Sequence, residues 1–195
     1  MWRTFARLLL FTLIPFSIER VHAADFIGLS VQICNFSRAD RKMLTQADAI
    51  ASGLFQDAGI AIVCLISDDP GHFGKLEPSR LTIQIFPGRS KRTDFKDAFG
   101  VAMTGDNSMT SFLADIFLGA IEEVATARID ETLLLGYAIA HETGHLLGET
   151  HAPGTVMAES WGARDIPHMR AGRVRFSLSQ AVRLRAAVAL RLRIR

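Results

Sequence analysis

The sequence has 195 residues and a mass of 21.4 kDa, with 49% hydrophobic and 22% charged residues. This composition excludes collagen-like, low-complexity and disordered chains, and two cysteines are too few for a disulfide-dense miniprotein. A formal charge of +2 gives the whole chain no strong basic or acidic character. The length predicts one ordinary domain with its own hydrophobic core.

The first 23 residues have the pattern of a secretory signal peptide. Arg3 and Arg7 precede the largely apolar run of residues 8–18. Val21-His22-Ala23 follows that run and has the small-x-small pattern of a cleavage site. An apolar run of about 11 residues is too short for a bilayer, which needs about 20. An uncleaved membrane anchor is the alternative. We therefore expect cleavage near Ala23 and a secreted or periplasmic mature protein.

The first half of the mature chain predicts three strands and one helix. Residues 29–34 alternate between apolar and polar, as in a half-buried strand. Residues 39–58 have apolar positions at the helical period, and Gly59 follows where a helix C-cap is expected. Residues 60–66 are continuously apolar, which predicts a strand buried on both faces. Residues 81–86 predict the third strand.

Two more strands and a long helix follow. Residues 99–103 predict a short fourth strand, and residues 112–121 predict a fifth, although their alanines also fit the start of a helix. A helix is predicted from 130 to 147, with Asp130 as its N-cap and Gly148 ending it.

The last predicted element is a helix from about residue 177 to 192. Ser177 and Gln180 have the spacing of a capping box at its start. Trp161 and Phe176 are expected to anchor the irregular segment before it. The order β-α-β-β-β-β-α-loop-α predicts an α+β fold, in which helices pack on one mixed sheet, without repeats or a second domain.

The C-terminal segment is strongly basic. From Arg170 to Arg195 there are eight arginines and no acidic residue. Such a segment can bind anionic lipid, nucleic acid or the protein's own acidic surface, and it is also typical of a solvated helix face. No aromatic residue follows Phe176, so the stacking groups of a single-strand binder are missing. We expect no nucleic-acid partner, while contact of the Arg-rich C-terminal helix with a membrane surface stays a hypothesis.

The two cysteines allow only one disulfide. Cys34 and Cys64 both lie in predicted strands, and an exported protein meets an oxidising environment in which a bridge is favoured. The alternative is two buried free thiols that act as small hydrophobic side chains.

The segment HETGHLLGETH, residues 141–151, carries the candidate chemistry. On a helix, His141 and His145 project from one face and can bind a single ion. Gly148 lets the chain turn back, so that His151 can supply a third nitrogen. Three neutral imidazoles leave an open position, which zinc uses in catalysis. Glu142 can then act on a metal-bound water. The alternative is a helix with solvated His and Glu side chains, but it does not explain Gly148 and His151 at these positions.

These residues resemble the HExxHxxGxxH signature of the metzincin zinc peptidases, and Gly154-Thr155-Val156-Met157 resembles their Met-turn. The motif covers residues 141–157, and the order of elements extends the resemblance over residues 24–195. The resemblance implies a zincin catalytic domain with a twisted five-stranded mixed sheet, two long helices, a zinc helix, a Met-turn and a C-terminal helix. It implies an upper subdomain at about 24–148 and a lower one at about 149–195.

The resemblance also implies residue roles. His141, His145 and His151 would hold one catalytic Zn²⁺, with Met157 beneath them. Glu142 would be the general base for a zinc-bound water that attacks a peptide carbonyl. An extended substrate would dock by strand addition on the edge strand formed by Phe99, Gly100, Val101, Ala102 and Met103.

The sequence therefore predicts an exported, monomeric zinc endopeptidase that acts on proteins or peptides. Two alternatives remain open: a zinc hydrolase acting on a non-protein amide, and a non-catalytic binding module stabilised by zinc. The presence of Glu142 argues against the binding module, since a structural zinc site needs no base.

Overall fold

The computed structural model describes residues 27–68, 80–92, 98–104, 111–125 and 128–193. The predicted signal peptide lies outside these residues. The described strands are β1 (Ile27–Asn35), β2 (Ile60–Ser67), β3 (Arg80–Phe86), β4 (Gly100–Met103) and β5 (Leu113–Phe117). The described helices are α1 (Arg41–Asp57), α2 (Leu118–Val124), α3 (Arg128–Leu146), α4 (Ile166–Arg170) and α5 (Leu178–Leu192).

The strands form one mixed sheet in the order β2-β1-β3-β5-β4. β1 pairs in parallel with β2 and β3, and β3 pairs in parallel with β5. β4 runs antiparallel to β5 at the end of the sheet. The predicted five-stranded mixed sheet is therefore confirmed. Among the described helices, none combines the length and apolar character that a membrane crossing requires.

The two long helices α1 and α3 pack against each other. Gly136 of α3 makes the close approach possible, because a Cβ there would lie 2.7 Å from Ile50 Cβ and 2.8 Å from the Ala47 carbonyl oxygen. α3 also contacts β3, β4 and β5. This packing sets the histidine-bearing helix beside the edge strand β4.

The prediction that β2 is buried on both faces was wrong. β2 is a terminal strand of the sheet, and Val63 and Leu65 are 58% and 50% exposed. The alternate residue Cys64 instead faces α1, where it interacts with Asp48 and Ser52. A continuous apolar run can belong to a strand with one open face, because strand position in the sheet does not show in a local pattern.

The fifth strand is shorter than predicted. β5 ends at Phe117 and the chain continues directly into α2, so the helix start that the alanines permitted is what forms. The Gly119 N–H donates to the Gly88 carbonyl at 2.8 Å. A Cβ at Gly119 would lie 2.5 Å from Gly88 Cα, so this turn requires a glycine.

Asp130 does not cap α3 as predicted. It lies in the first turn of the helix, where its buried carboxylate is paired with Arg170 of α4. A negative charge near a helix N-terminus is favourable, because the helix dipole is positive at that end. α4 itself lies in the segment predicted to be irregular. At α5, the predicted capping box of Ser177 and Gln180 is confirmed.

The possible disulfide between Cys34 and Cys64 is not formed, and both residues are free thiols. Cys34 pairs with Ser67 across the β1–β2 ladder, three positions beyond the pair of Val31 and Cys64. That offset separates the two Cα atoms by about 10 Å along the strand direction alone, beyond the span of about 7 Å that a disulfide tolerates. An odd offset also directs the two side chains to opposite faces of the sheet.

Candidate metal centre

α3 and the turn after it bring the three predicted histidines together. His141 and His145 lie one turn apart on α3, and Gly148 reverses the chain with a φ of +89°. His151 then meets them, so that one nitrogen of each ring lies within 4.8 Å of the others. The His145 Nε2 atom is 2.9 Å from His141 Nε2 and 3.1 Å from His151 Nε2.

Backbone carbonyls orient two of the rings. His141 Nδ1 lies 2.8 Å from the Val156 carbonyl oxygen, and His145 Nδ1 lies 2.8 Å from the Glu149 carbonyl oxygen. A carbonyl oxygen can only accept, so each Nδ1 carries a proton and donates it. Burial is the main cause that lowers the pKa of His145 and, to about 4, that of His141. Both rings are therefore neutral near pH 7, and their Nε2 atoms are bare acceptors.

Two bare acceptors 2.9 Å apart cannot hydrogen-bond to each other, and a shared cation resolves that contact. Two nitrogens bound to a tetrahedral zinc at about 2.0–2.1 Å lie about 3.3 Å apart. The Nε2 separations of 2.9 and 3.1 Å are close to that value. Neutral imidazoles are zinc ligands, and their Nδ1–H bonds are the usual second shell of such ligands. The three histidines therefore fit a zinc ion.

Glu142 lies beside the histidines but outside the cluster of ligand atoms. Its side chain is packed against Gly100 of β4, where a Cβ would lie 2.6 Å from Glu142 Oε1. Burial raises the pKa of Glu142 to about 8, although a hydrogen bond from the Ala102 backbone lowers it and Asp115 raises it further. Within the described part of the chain, its Oε2 atom has no hydrogen-bond partner. A buried carboxyl group with an unsatisfied oxygen costs free energy, and such groups occur often at functional sites.

Met157 lies in a tight turn packed against α3. It is fully buried, and a Cβ at Gly144 would lie 2.5 Å from its Sδ atom. The Thr155 hydroxyl donates to the Ala152 carbonyl at 2.9 Å and accepts from the Met157 N–H at 3.0 Å. The Ala152 N–H donates to the Met157 carbonyl at 2.7 Å. These bonds tie the segment that follows His151 to the turn.

A cleft of about 640 Å³ opens over the histidines and Glu142. The segment from Ala98 to Ala102 lines one side, so four of the five predicted strand residues contact it, namely Phe99, Gly100, Val101 and Ala102. Met103 is half exposed and is not part of the lining. The other side is formed by the segment from Ala158 to Trp161.

Trp161 lines the cleft, a role that the sequence pattern did not predict. Its ring centroid lies 5.1 Å from that of His141 and 5.9 Å from that of Tyr137, both edge-on. It also lies 6.3 Å from Phe99 across the cleft. Trp161, which was expected to anchor the C-terminal segment rather than to bind substrate, therefore also lines the cleft. Its position four residues after Met157 was the one available signal.

Comparisons with known proteins establish the fold. No family model matches the sequence, and no curated protein matches it. A zinc-dependent peptidase from Methanocorpusculum labreanum aligns with a TM-score of 0.55 and 16% identity, covering 79% of this chain and 99% of that one. Archaemetzincin from Methanopyrus kandleri aligns with a TM-score of 0.58 and 13% identity, covering 84% of this chain and 97% of that one. The chain thus has the fold of solved zinc-dependent peptidases.

Proposed function

We propose that the protein is an exported zinc-dependent endopeptidase of the metzincin type. The observation that carries the proposal is the pair of bare Nε2 atoms of His141 and His145, 2.9 Å apart, with His151 Nε2 beside them. The fold shared with the two solved peptidases supports it. Met157, buried against Gly144, has the role of the Met-turn methionine in this proposal.

The residues around the ion divide the work of hydrolysis. When bound, zinc supplies a Lewis acid that acidifies water and polarises a peptide carbonyl. Glu142 takes the proton from the attacking water at its carboxylate and returns it to the leaving amine. The edge of β4 binds the substrate as an added strand, because its other edge is already paired with β5. Trp161 closes the far wall of the cleft.

Glu142→Gln tests whether the site is catalytic. Glutamine keeps the size of the side chain and removes the base, so we expect one zinc per chain and a 100- to 10,000-fold lower rate of cleavage of an unfolded protein, roughly the range for loss of a general base. Glu122→Gln is the matched control, because Glu122 is an exposed glutamate on α2.

The alternatives predict different results for zinc binding and cleavage by the wild-type protein and by Glu142→Gln. Full turnover in Glu142→Gln would contradict the catalytic role. A wild-type protein that holds zinc and cleaves neither proteins nor small amides would indicate the binding module. Cleavage of small amides alone would indicate the non-protein hydrolase.

Export is tested separately. The N-terminal residue of protein collected outside the cytoplasm identifies the processing site. We expect a new N-terminus after Ala23, and an intact Met1 in exported protein would contradict the signal peptide.

A further inference from the structure

The Arg-rich C-terminal segment is bound to the protein itself. Among its described residues, up to Arg193, five arginines contact other parts of the chain. Arg170 pairs with Asp130, Arg175 with Asp57, and Arg183 with Glu149, while Arg185 donates to the Ala58 carbonyl and Arg191 to the Ser111 and Leu146 carbonyls. Lipid, nucleic acid and the protein's own surface were all considered as partners of this basic segment, and these contacts are made with the protein's own surface.

Two of these contacts reach the chain next to the second histidine of the metal centre. Arg191 Nη2 donates to the carbonyl of Leu146, the last residue of α3, at 2.7 Å. Arg183 grips the carboxylate of Glu149 with two bonds, Nε to Oε1 at 2.9 Å and Nη2 to Oε2 at 2.6 Å. A planar two-bond pair of this kind fixes orientation as well as distance.

Glu149 is held at every polar group. Its side chain is 1% exposed, so its charge has little access to water and depends on Arg183. Its N–H donates to the Gly144 carbonyl at 3.0 Å. Its own carbonyl accepts the Nδ1–H of His145 at 2.8 Å. One residue therefore joins α5 to the orientation of a metal ligand.

We propose that Arg183 is a positioning residue for the metal centre, which holds the Glu149 carbonyl where it orients His145. The proposal rests on the zinc site described above. Without Arg183 the buried Glu149 carboxylate loses its counter-charge, and an unpaired buried charge is driven to move toward water. Movement of Glu149 displaces its carbonyl, and His145 is then free to turn away from the ion.

Arg183→Met tests the proposal, because methionine keeps an apolar stem and removes the donors. Partners of metal ligands are worth 10- to 100-fold in metal affinity, and Arg183 acts through one intervening residue. We expect the zinc dissociation constant to rise about tenfold. Competition with a chelating dye measures this constant, and the visible spectrum of the cobalt-substituted protein reports a change in ligand geometry.

Arg185→Met is the matched control. Arg185 lies on the same helix and donates to the Ala58 carbonyl at 2.7 Å, far along the chain from His145. We expect it to lower the melting temperature of the metal-free protein and to leave the zinc constant and the cobalt spectrum unchanged. A general loosening of α5 would affect both variants alike.

A double variant distinguishes positioning from anchoring. In Glu149→Gln/Arg183→Met the buried charge is gone, so the amide can stay in place and zinc binding should recover toward the wild-type value. If Arg183→Met does not fold, Arg183→Lys replaces it, and a smaller rise in the zinc dissociation constant is expected, because lysine keeps the charge and loses the two-bond geometry.

Unchanged zinc affinity in Arg183→Met, or no recovery in the double variant, would overturn the positioning role. These failures differ from failure of the proposed function, which would show in the wild-type protein itself, as a lack of zinc or as bound zinc without cleavage.

Discussion

Gly100 is predicted to fix the position of Glu142. A Cβ at residue 100 would lie 2.6 Å from Glu142 Oε1 and 2.7 Å from its Cδ and Cγ atoms. Ordinary contact begins at 3.4 Å, so Gly100→Ala must push the carboxylate back by about 0.8 Å. A misplacement of about 1 Å in a reacting group costs on the order of 100-fold in rate. We therefore expect a loss of 10- to 100-fold in kcat, roughly in line with that figure, with zinc still bound.

The assay is cleavage of an unfolded protein by Gly100→Ala, with zinc content measured on the same samples. Gly28→Ala is the control, because Gly28 is also a strand glycine and a Cβ there meets nothing within 4 Å. Wild-type turnover in Gly100→Ala would show that a Cβ at residue 100 does not displace the Glu142 side chain. Loss of zinc together with activity would contradict the prediction too, since a distorted metal centre would then be the cause.

Three further predictions concern stability. Gly136→Ala should destabilise the protein by about 1–3 kcal/mol in denaturant unfolding, because the added methyl group meets Ile50 at 2.7 Å. Met157→Ala should cost about 2–5 kcal/mol and Met157→Leu less than about 1.5 kcal/mol, since the side chain is fully buried; equal melting temperatures for both would contradict this. In the folded, metal-free protein the pKa of Glu142 is raised to about 8, while in the unfolded chain it has its ordinary value of 4.5. Between these two pH values only the folded state holds the proton, so the contribution of Glu142 to the free energy of unfolding falls as the pH rises. Glu142→Gln should therefore stabilise the metal-free protein more at pH 8 than at pH 5, as thermal unfolding at the two pH values will show.

Local sequence patterns predicted the elements that depend only on residues close to them in the chain. The apolar period over α1 and the capping box of Ser177 each depend on residues within one or two turns. The exposed face of β2 and the early end of β5 depend on neighbours elsewhere in the fold. The turn that follows β5 brings Gly119 against Gly88, and nothing within residues 112–121 shows that contact.

The candidate metal centre also combines features that depend on neighbouring residues with features that depend on distant ones. His141, His145 and His151 were predictable because one helix turn and one glycine bring them together within 11 residues. The partners that orient them were not, since the Val156 carbonyl lies 15 residues from His141. Arg183 lies 34 residues from Glu149, and only the packing of α5 brings the two together. Long-range partners of this kind leave no periodic signal in a sequence.

Zinc content and chelator-sensitive cleavage should be measured first, both on the same purified protein. We expect one zinc per chain, cleavage of an unfolded protein, loss of that cleavage when a chelator removes the metal, and its return when zinc is added back. Correctly folded protein that binds no zinc would contradict the proposed function, because every proposed role depends on His141, His145 and His151 holding that ion.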